Sequence, residues 1–259
     1  MNTTDEAPAI LVTGAARRLG AEITRNLHAA GCRLVIQYRR SADSAHALAA
    51  ELNALRPDSA ITIAGDLTAD GIPERVATAA HAAFGRLDGL VNNASDFFPT
   101  PIGDIDNAAW DALIGSNLRG PLFLSQALAA ELAARNGAII NILDVHAERP
   151  LRGYSLYCAA KAGLLGLTRA LAVELAPHVR VNGVSPGAIE WPDDDQFPPA
   201  ERKAIVASTL LQREGHPADI AGAVRFLLLN APYVTGQILA VDGGRNAHLS
   251  TPASSAERV

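Results

Sequence analysis

Tyr157 and Lys161 stand four positions apart, a spacing that sets both side chains on one face wherever the chain is helical. A phenol ordinarily ionises near pH 10, and a neighbouring ammonium favours the phenolate. Such a pair can pass a proton at neutral pH. The chain has 4 Tyr, and of its 22 Lys and Arg only Lys161 and Lys203 are lysines. Chance then yields a Tyr-x-x-x-Lys only about 0.03 times in a chain of this composition.

A second element with chemical meaning is the run Thr13-Gly14-Ala15-Ala16-Arg17-Arg18-Leu19-Gly20. It follows an apolar segment and opens a helical pattern. A glycine turn there lets backbone N–H groups and the helix dipole hold a pyrophosphate. Gly14 permits the tight turn, and Gly20 permits close helix–strand packing. Nucleotide enzymes that prefer NAD place an acid at the end of the second strand. Here that end reads Gln37-Tyr38-Arg39-Arg40-Ser41, with no acid until Asp43. Two guanidiniums and a hydroxyl suit a ribose 2′-phosphate, so the expected cofactor is NADPH.

These residues need a scaffold, and the chain supplies one. Short β-rich runs (9–13, 33–38, 61–64, 89–92, 138–143, 179–184 and 237–241) alternate with Ala/Leu-rich helical stretches (20–30, 42–55, 72–84, 108–135, 154–176 and 218–230). Alternation of this kind means βαβ units and a parallel sheet. The strands read as continuous apolar runs, as in sheets covered on both faces. The expected fold is a single-domain α/β, Rossmann-like, doubly wound parallel sheet of about seven strands flanked by helices. No linker divides residues 1–259. Residues 1–8 and 246–259 are expected to be loose, and the Pro- and Asp-rich stretch 188–211, with Trp191, Asp193, Asp194, Asp195 and Phe197, to be a substrate lid.

Composition excludes several classes. Hydrophobic residues make up 49% and charged residues 19%, too apolar for disorder. A net charge of −5 argues against a nucleic-acid partner. Two cysteines, Cys32 and Cys158, form no disulfide framework, and the seven His show no metal-ligand spacing. The polar start is neither secretory nor transit signal, and no run of 18 apolar residues is found, so a cytoplasmic protein without a membrane span is expected.

Over roughly Ala9 to Arg245 the chain resembles the short-chain dehydrogenase/reductase family. The resemblance rests on the 13–20 turn, Asp66, Asn92-Asn93-Ala94, Asn117, Tyr157/Lys161, Pro186-Gly187 and Asp242-Gly243-Gly244. It implies that Tyr157 is the acid/base, that Lys161 lowers its pKa and holds the nicotinamide ribose, and that Asn117 supports a water-linked proton relay. It also implies that Asp66 lies near the adenine. Two departures are informative. Arg18 stands where the common turn has a third glycine, and Asp144 stands where the family has its catalytic Ser. Both occur in the pteridine reductases, which the chain resembles in Asn92 to Pro101, in the Asp144/Tyr157/Lys161 set and in Pro186 to Pro192.

That closer resemblance implies a dihydropterin as small-molecule substrate. Phe97 would sandwich it, with Arg18, Ser95, Asp144, Tyr157 and Trp191 completing the substrate contacts. The cofactor set implied is Gly14, Arg17, Arg18, Leu19, Tyr38, Arg39, Arg40, Ser41, Asp66, Leu67, Asn93, Ala94, Ser95, Lys161, Pro186 and Gly187. The helix over 154–176 is apolar nearly all round, which calls for burial on more than one side. Family members bury it against a second subunit, so a homotetramer is expected. Two other functions stay open: reduction of a 3-oxoacyl or sugar ketone, and a catalytically silent NADP-binding regulator.

Overall fold

A computed structural model describes residues 7–191 and 197–247. Seven strands form one sheet: β1 (Ala9–Val12), β2 (Arg33–Tyr38), β3 (Ala60–Ala64), β4 (Gly89–Asn92), β5 (Ala138–Ile142), β6 (Arg180–Pro186) and β7 (Ile238–Val241). Their order is β3-β2-β1-β4-β5-β6-β7, and every pairing is parallel. Among the described residues, eight α-helices flank it: α1 (Arg18–Ala29), α2 (Ala42–Leu55), α3 (Ile72–Phe84), α4 (Asn107–Ile114), α5 (Gly120–Ala134), α6 (Ser155–Glu174), α7 (Pro199–Ala207) and α8 (Pro217–Arg225). This is the doubly wound sheet expected from the alternation of patterns.

The side-chain alternation of each strand feeds two cores. Ile10, Val12, Leu34 and Ile36 meet Ile23, Leu27 and Leu48 of α1 and α2 and Val224 of α8 on one face. Ala9, Leu11, Val35 and Ile139 meet Val76, Leu124, Leu128 and Leu171 of α3, α5 and α6 on the other. Burying a Leu or Ile side chain stabilises by about 1.5–3 kcal/mol, so these two layers dominate the fold's stability. The central strands β1, β4 and β5 are buried along their whole length, while β3 and β7 at the sheet edges are partly exposed. The expectation of strands covered on both faces therefore holds for the centre and fails at the margins.

Three local differences have physical causes. The continuous helix expected over 108–135 is two helices joined by a π-helical turn at Gly115–Arg119, which holds Asn117. The stretch expected as one helix over 218–230 likewise ends in a π turn at Phe226–Asn230. Within the expected lid, Pro199–Ala207 is helical but has no buried residue, so its weak apolar patterning gave no helical signal. The lid's Asp193, Asp194 and Asp195, and Pro192, lie outside the described residues, as do most of both terminal segments.

Among the described residues, α6 is a helix long and apolar enough to cross a membrane, and half of its most apolar window is buried in the fold. Thr168, Arg169 and Glu174 keep it from being an unbroken apolar run.

Candidate active site

Strand order reverses between β1 and β4, and the loops that follow the strands open a crevice at their carboxyl ends. A cleft of about 530 Å³ lies there. Gly14 begins its floor with φ +59°, and a Cβ on it would stand 2.8 Å from the Ala94 Cα. A Cβ on Gly20 would stand 2.3 Å from the Gly14 carbonyl oxygen. Only glycine fits either position, which leaves backbone where a phosphate group would lie at the start of α1. The cradle thus fits the dinucleotide that its residues imply.

The turn is pinned by side chains, of which Gln37 was not among the expected site residues. Gln37, buried in β2, accepts from the Gly14 N–H at 3.0 Å and donates to the Gly65 carbonyl at 2.7 Å. The Thr13 hydroxyl accepts from the N–H groups of Asn93 and Ala94 at 2.9 and 3.0 Å. Asn93 donates back to the Thr13 carbonyl at 2.9 Å. A lone glutamine inside the apolar run 33–38 was the available signal for Gln37. Arg18 takes the left-handed region at φ 51°, the conformation for which glycine is the usual residue. Its guanidinium donates to the Glu190 carbonyl at 3.1 Å and stands 3.4 Å from the Glu190 carboxylate.

The cleft lining brings together the whole of the expected cofactor set. Arg17, Arg18 and Leu19 come from the turn and from the start of α1; Tyr38 ends β2 and Arg39, Arg40 and Ser41 follow it; Asp66 and Leu67 follow β3. Asn93, Ala94 and Ser95 follow β4, and Pro186 and Gly187 end β6. Asp66 accepts from the Thr68 N–H and hydroxyl at 3.1 and 2.8 Å. Burial raises its pKa, but Thr68, Arg39 and Arg40 outweigh that and hold it below the usual carboxylate range. Arg39 forms a two-pronged ion pair with Asp96, at 2.9 and 2.8 Å. Asp96 was not among the expected site residues.

At the other end of the cleft, Asp144, Tyr157 and Lys161 share the lining. The Tyr157 hydroxyl donates to Asp144 Oδ2 at 2.8 Å, and the His146 N–H holds Asp144 Oδ1 at 2.8 Å. Burial, with the Asp144 carboxylate next in effect, pushes the phenol well above its ordinary value; a Ser95 hydrogen bond pulls it slightly down. Lys161 Nζ donates to the Ile142 carbonyl at 2.9 Å and lies 5.7 Å from the Tyr157 ring centre. Burial lowers the Lys161 pKa to about 8. Burial and the carboxylate act together on the phenol, and in this geometry its hydrogen bond is given to Asp144.

The position of α6 is set by a buried polar chain. Asn92 donates to Asn141 at 2.8 Å, and Asn141 donates to Thr168 at 2.9 Å, linking β4, β5 and α6. Buried polar groups must be paired, so register between helix and sheet is strongly specified. Asn117, fully buried in its π turn, accepts from the Ser95 hydroxyl at 2.7 Å and donates to the Asp96 carbonyl at 2.9 Å. It stands behind the cleft wall and holds the loop after β4 in place.

Phe97 and Trp191 stand outside the cleft lining itself. Phe97 stacks on Tyr154 with ring centres 4.6 Å apart, meets Tyr157 edge-on at 4.7 Å, and lies parallel to Phe197 at 6.2 Å. Thr100 secures this arrangement, since its N–H donates to the Gly153 carbonyl and its carbonyl accepts from Ser155 at 3.1 Å. Trp191 donates to Glu214 at 2.8 Å, packs 5.4 Å from Phe197 and lies under the Arg202 guanidinium at 5.5 Å. Tyr154 and Phe197 are thus further members of the aromatic wall; Phe197 belongs to the stretch expected as a lid, whereas the isolated position of Tyr154 gave no signal. Burial raises the Cys158 thiol above its ordinary value.

Residues 14–246 match the family model described as enoyl-(acyl carrier protein) reductase. Pteridine reductase 1 of Leishmania tarentolae is 41% identical, over 94% of this chain and 98% of its own. A 3-oxoacyl-[acyl-carrier-protein] reductase of Synechocystis sp. is 36% identical, over 92% of this chain and 96% of its own. L-xylulose reductase of Caenorhabditis elegans is 36% identical, over 91% of this chain and 94% of its own. The glycine cradle, the Tyr157–Lys161 pair on α6 and these full-length likenesses agree, and the chain belongs to the short-chain dehydrogenase/reductase family of oxidoreductases.

Proposed function

We propose that the protein reduces a dihydropterin, of the dihydrobiopterin, dihydromonapterin or dihydrofolate kind, to its tetrahydro form with NADPH. The observation that carries this reading is the 2.8 Å bond from the Tyr157 hydroxyl to a carboxylate, Asp144. Reduction of a ketone needs only a proton donor and a hydroxyl to orient the carbonyl. A nitrogen-rich heterocycle gains from a carboxylate that can pair with ring N–H groups and relay protons. The aromatic wall supports the same reading, because a flat bicycle beside Phe97 gains about 0.5–1.5 kcal/mol from offset stacking beyond its burial. The 41% identity to a pteridine reductase agrees with it.

NADPH, when bound, supplies the hydride, and the residues that would hold it are the Gly14–Gly20 turn, Arg39, Arg40, Ser41 and Lys161. The chain's own part is positioning and proton traffic. A substrate nitrogen that reaches the phenol oxygen competes with Asp144 for one proton. As a ring carbon gains the hydride, the neighbouring nitrogen becomes basic enough to take that proton. The Lys161 ammonium stabilises the phenolate that is left, and a proton taken up from solvent returns the phenol to its starting state. We also propose a homotetramer, in which the exposed face of α6 around Ala159, Ala162, Gly166 and Val173 is covered by a second copy.

One assay tests the substrate. NADPH absorbance is followed with a dihydropterin, with an acetoacetyl thioester, and with neither. Consumption with the dihydropterin alone supports the proposal. Consumption with the thioester alone replaces it by 3-oxoacyl reduction, the activity named for the Synechocystis relative. No consumption with either favours a silent regulator.

A further inference from the structure

β2 and β4 lie on either side of β1, and β1 runs into the glycine turn. Arg39 follows β2, and Asp96 follows β4. A bond between them therefore passes over the end of β1, where the floor of the dinucleotide cleft begins. That bond exists as a two-pronged pair: Nη1 to Oδ2 at 2.9 Å and Nη2 to Oδ1 at 2.8 Å, with side chains 33% and 25% exposed. Both residues line the cleft.

The two partners differ in freedom. Asp96 is fixed by its backbone, since its N–H donates to the Ser116 hydroxyl at 3.2 Å and its carbonyl accepts from Asn117 at 2.9 Å. Arg39 is a long chain at the end of an edge-proximal strand, with Arg40 and Ser41 beside it. A guanidinium has five N–H donors, and this carboxylate occupies its two-nitrogen end. A phosphate dianion matches the same fork and carries more charge than a carboxylate.

We propose that the Arg39–Asp96 pair is a strap across the cleft, and that Asp96 competes with a ribose 2′-phosphate for Arg39. Asp96 is then a determinant of how the chain binds phosphorylated dinucleotides. The strap exchanges one anion for another when a 2′-phosphate arrives, and a ribose with a free 2′-hydroxyl offers nothing to exchange. This inference rests on the NADPH part of the proposed function.

The test is a binding titration without turnover, by calorimetry, of the wild type and of Asp96→Ala and Asp96→Asn. The ligands are NADPH and 2′,5′-ADP on one side, NADH and 5′-ADP on the other. An exposed pair of this kind is worth up to about 1 kcal/mol, so Asp96→Ala should tighten both 2′-phosphorylated ligands about threefold to fivefold and leave the other two unchanged. Asp96→Asn keeps the shape and one acceptor, and should move in the same direction by less. Unchanged or weaker binding of 2′,5′-ADP overturns the strap, and so does an equal change for all four ligands, which reports a misplaced loop. A wild type that holds NADH as tightly as NADPH overturns the cofactor reading instead, and that result is visible without any variant.

Discussion

The Tyr157 hydroxyl and the Asp144 carboxylate, thirteen residues apart in the chain, are joined by a 2.8 Å hydrogen bond between the start of α6 and the loop after β5. A phenol buried beside a carboxylate keeps its proton, whereas a phenol beside an ammonium alone tends to lose it. The resting site is therefore a loaded donor, and its chemistry follows from which group next receives that proton.

Tyr157→Phe removes the donor and keeps the ring that meets Phe97. Turnover should fall roughly 100- to 10,000-fold, the usual range for loss of general acid catalysis, with NADPH affinity close to wild type. Steady-state rates beside a fluorescence titration of NADPH check both halves. Tight binding with retained turnover would place the proton source elsewhere.

Asp144→Ser should slow dihydropterin reduction while leaving the fold intact, because Asp144 is part-exposed and bonds only locally to His146 and Tyr157. It should also bring the Tyr157 phenol down toward its ordinary value, since the carboxylate is the second largest cause of its rise. An ultraviolet pH titration of the variant reads that shift directly.

Lys161 sets the alkaline limit. Its pKa is lowered to about 8, while the phenol moves up, so the first group to lose a proton above neutrality is the lysine. kcat/KM should decline above about pH 8, and the decline should persist in Asp144→Asn at a lower midpoint, because Asp144 favours the charged ammonium. Stability moves the other way. Between about 8 and the ordinary 10.5, the unfolded chain holds a proton that the folded chain has released, so resistance to urea attributable to Lys161 should rise with pH across that window.

Gly20→Ala places a methyl 2.3 Å from the Gly14 carbonyl and 2.9 Å from the Ala15 Cα, both backbone atoms that cannot swing aside. Overpacking of this kind costs about 1–3 kcal/mol. A lower Tm and a weaker NADPH Kd are expected together, since the displaced atoms belong to the cradle. Val173, 79% exposed on α6, tests the proposed tetramer: light scattering should find smaller species for Val173→Glu than for the wild type.

Much of this was legible in the sequence, for identifiable reasons. Helices α2 and α3 and strands β2 and β4 fall on their expected boundaries, because turn residues flank strong apolar patterns there. The Gly14–Gly20 turn and the Tyr157–Lys161 pair are local in sequence, so their spacing alone gives their geometry. The π turn around Asn117 was not legible, since an extra residue in a helical turn leaves the composition unchanged. Gln37, Asp96 and Tyr154 act through partners between 23 and 57 positions away, and no periodicity encodes such meetings.

The Asn92–Asn141–Thr168 chain rivets the proton donor's helix to the middle of the sheet. Tyr157 is thereby indexed to the buried centre of the sheet, while Phe97 and Trp191 ride on connecting segments. Alterations in those segments can reshape what is gripped without moving the atom that delivers H⁺. Retargeting this scaffold to another compound is then a problem of loop redesign alone.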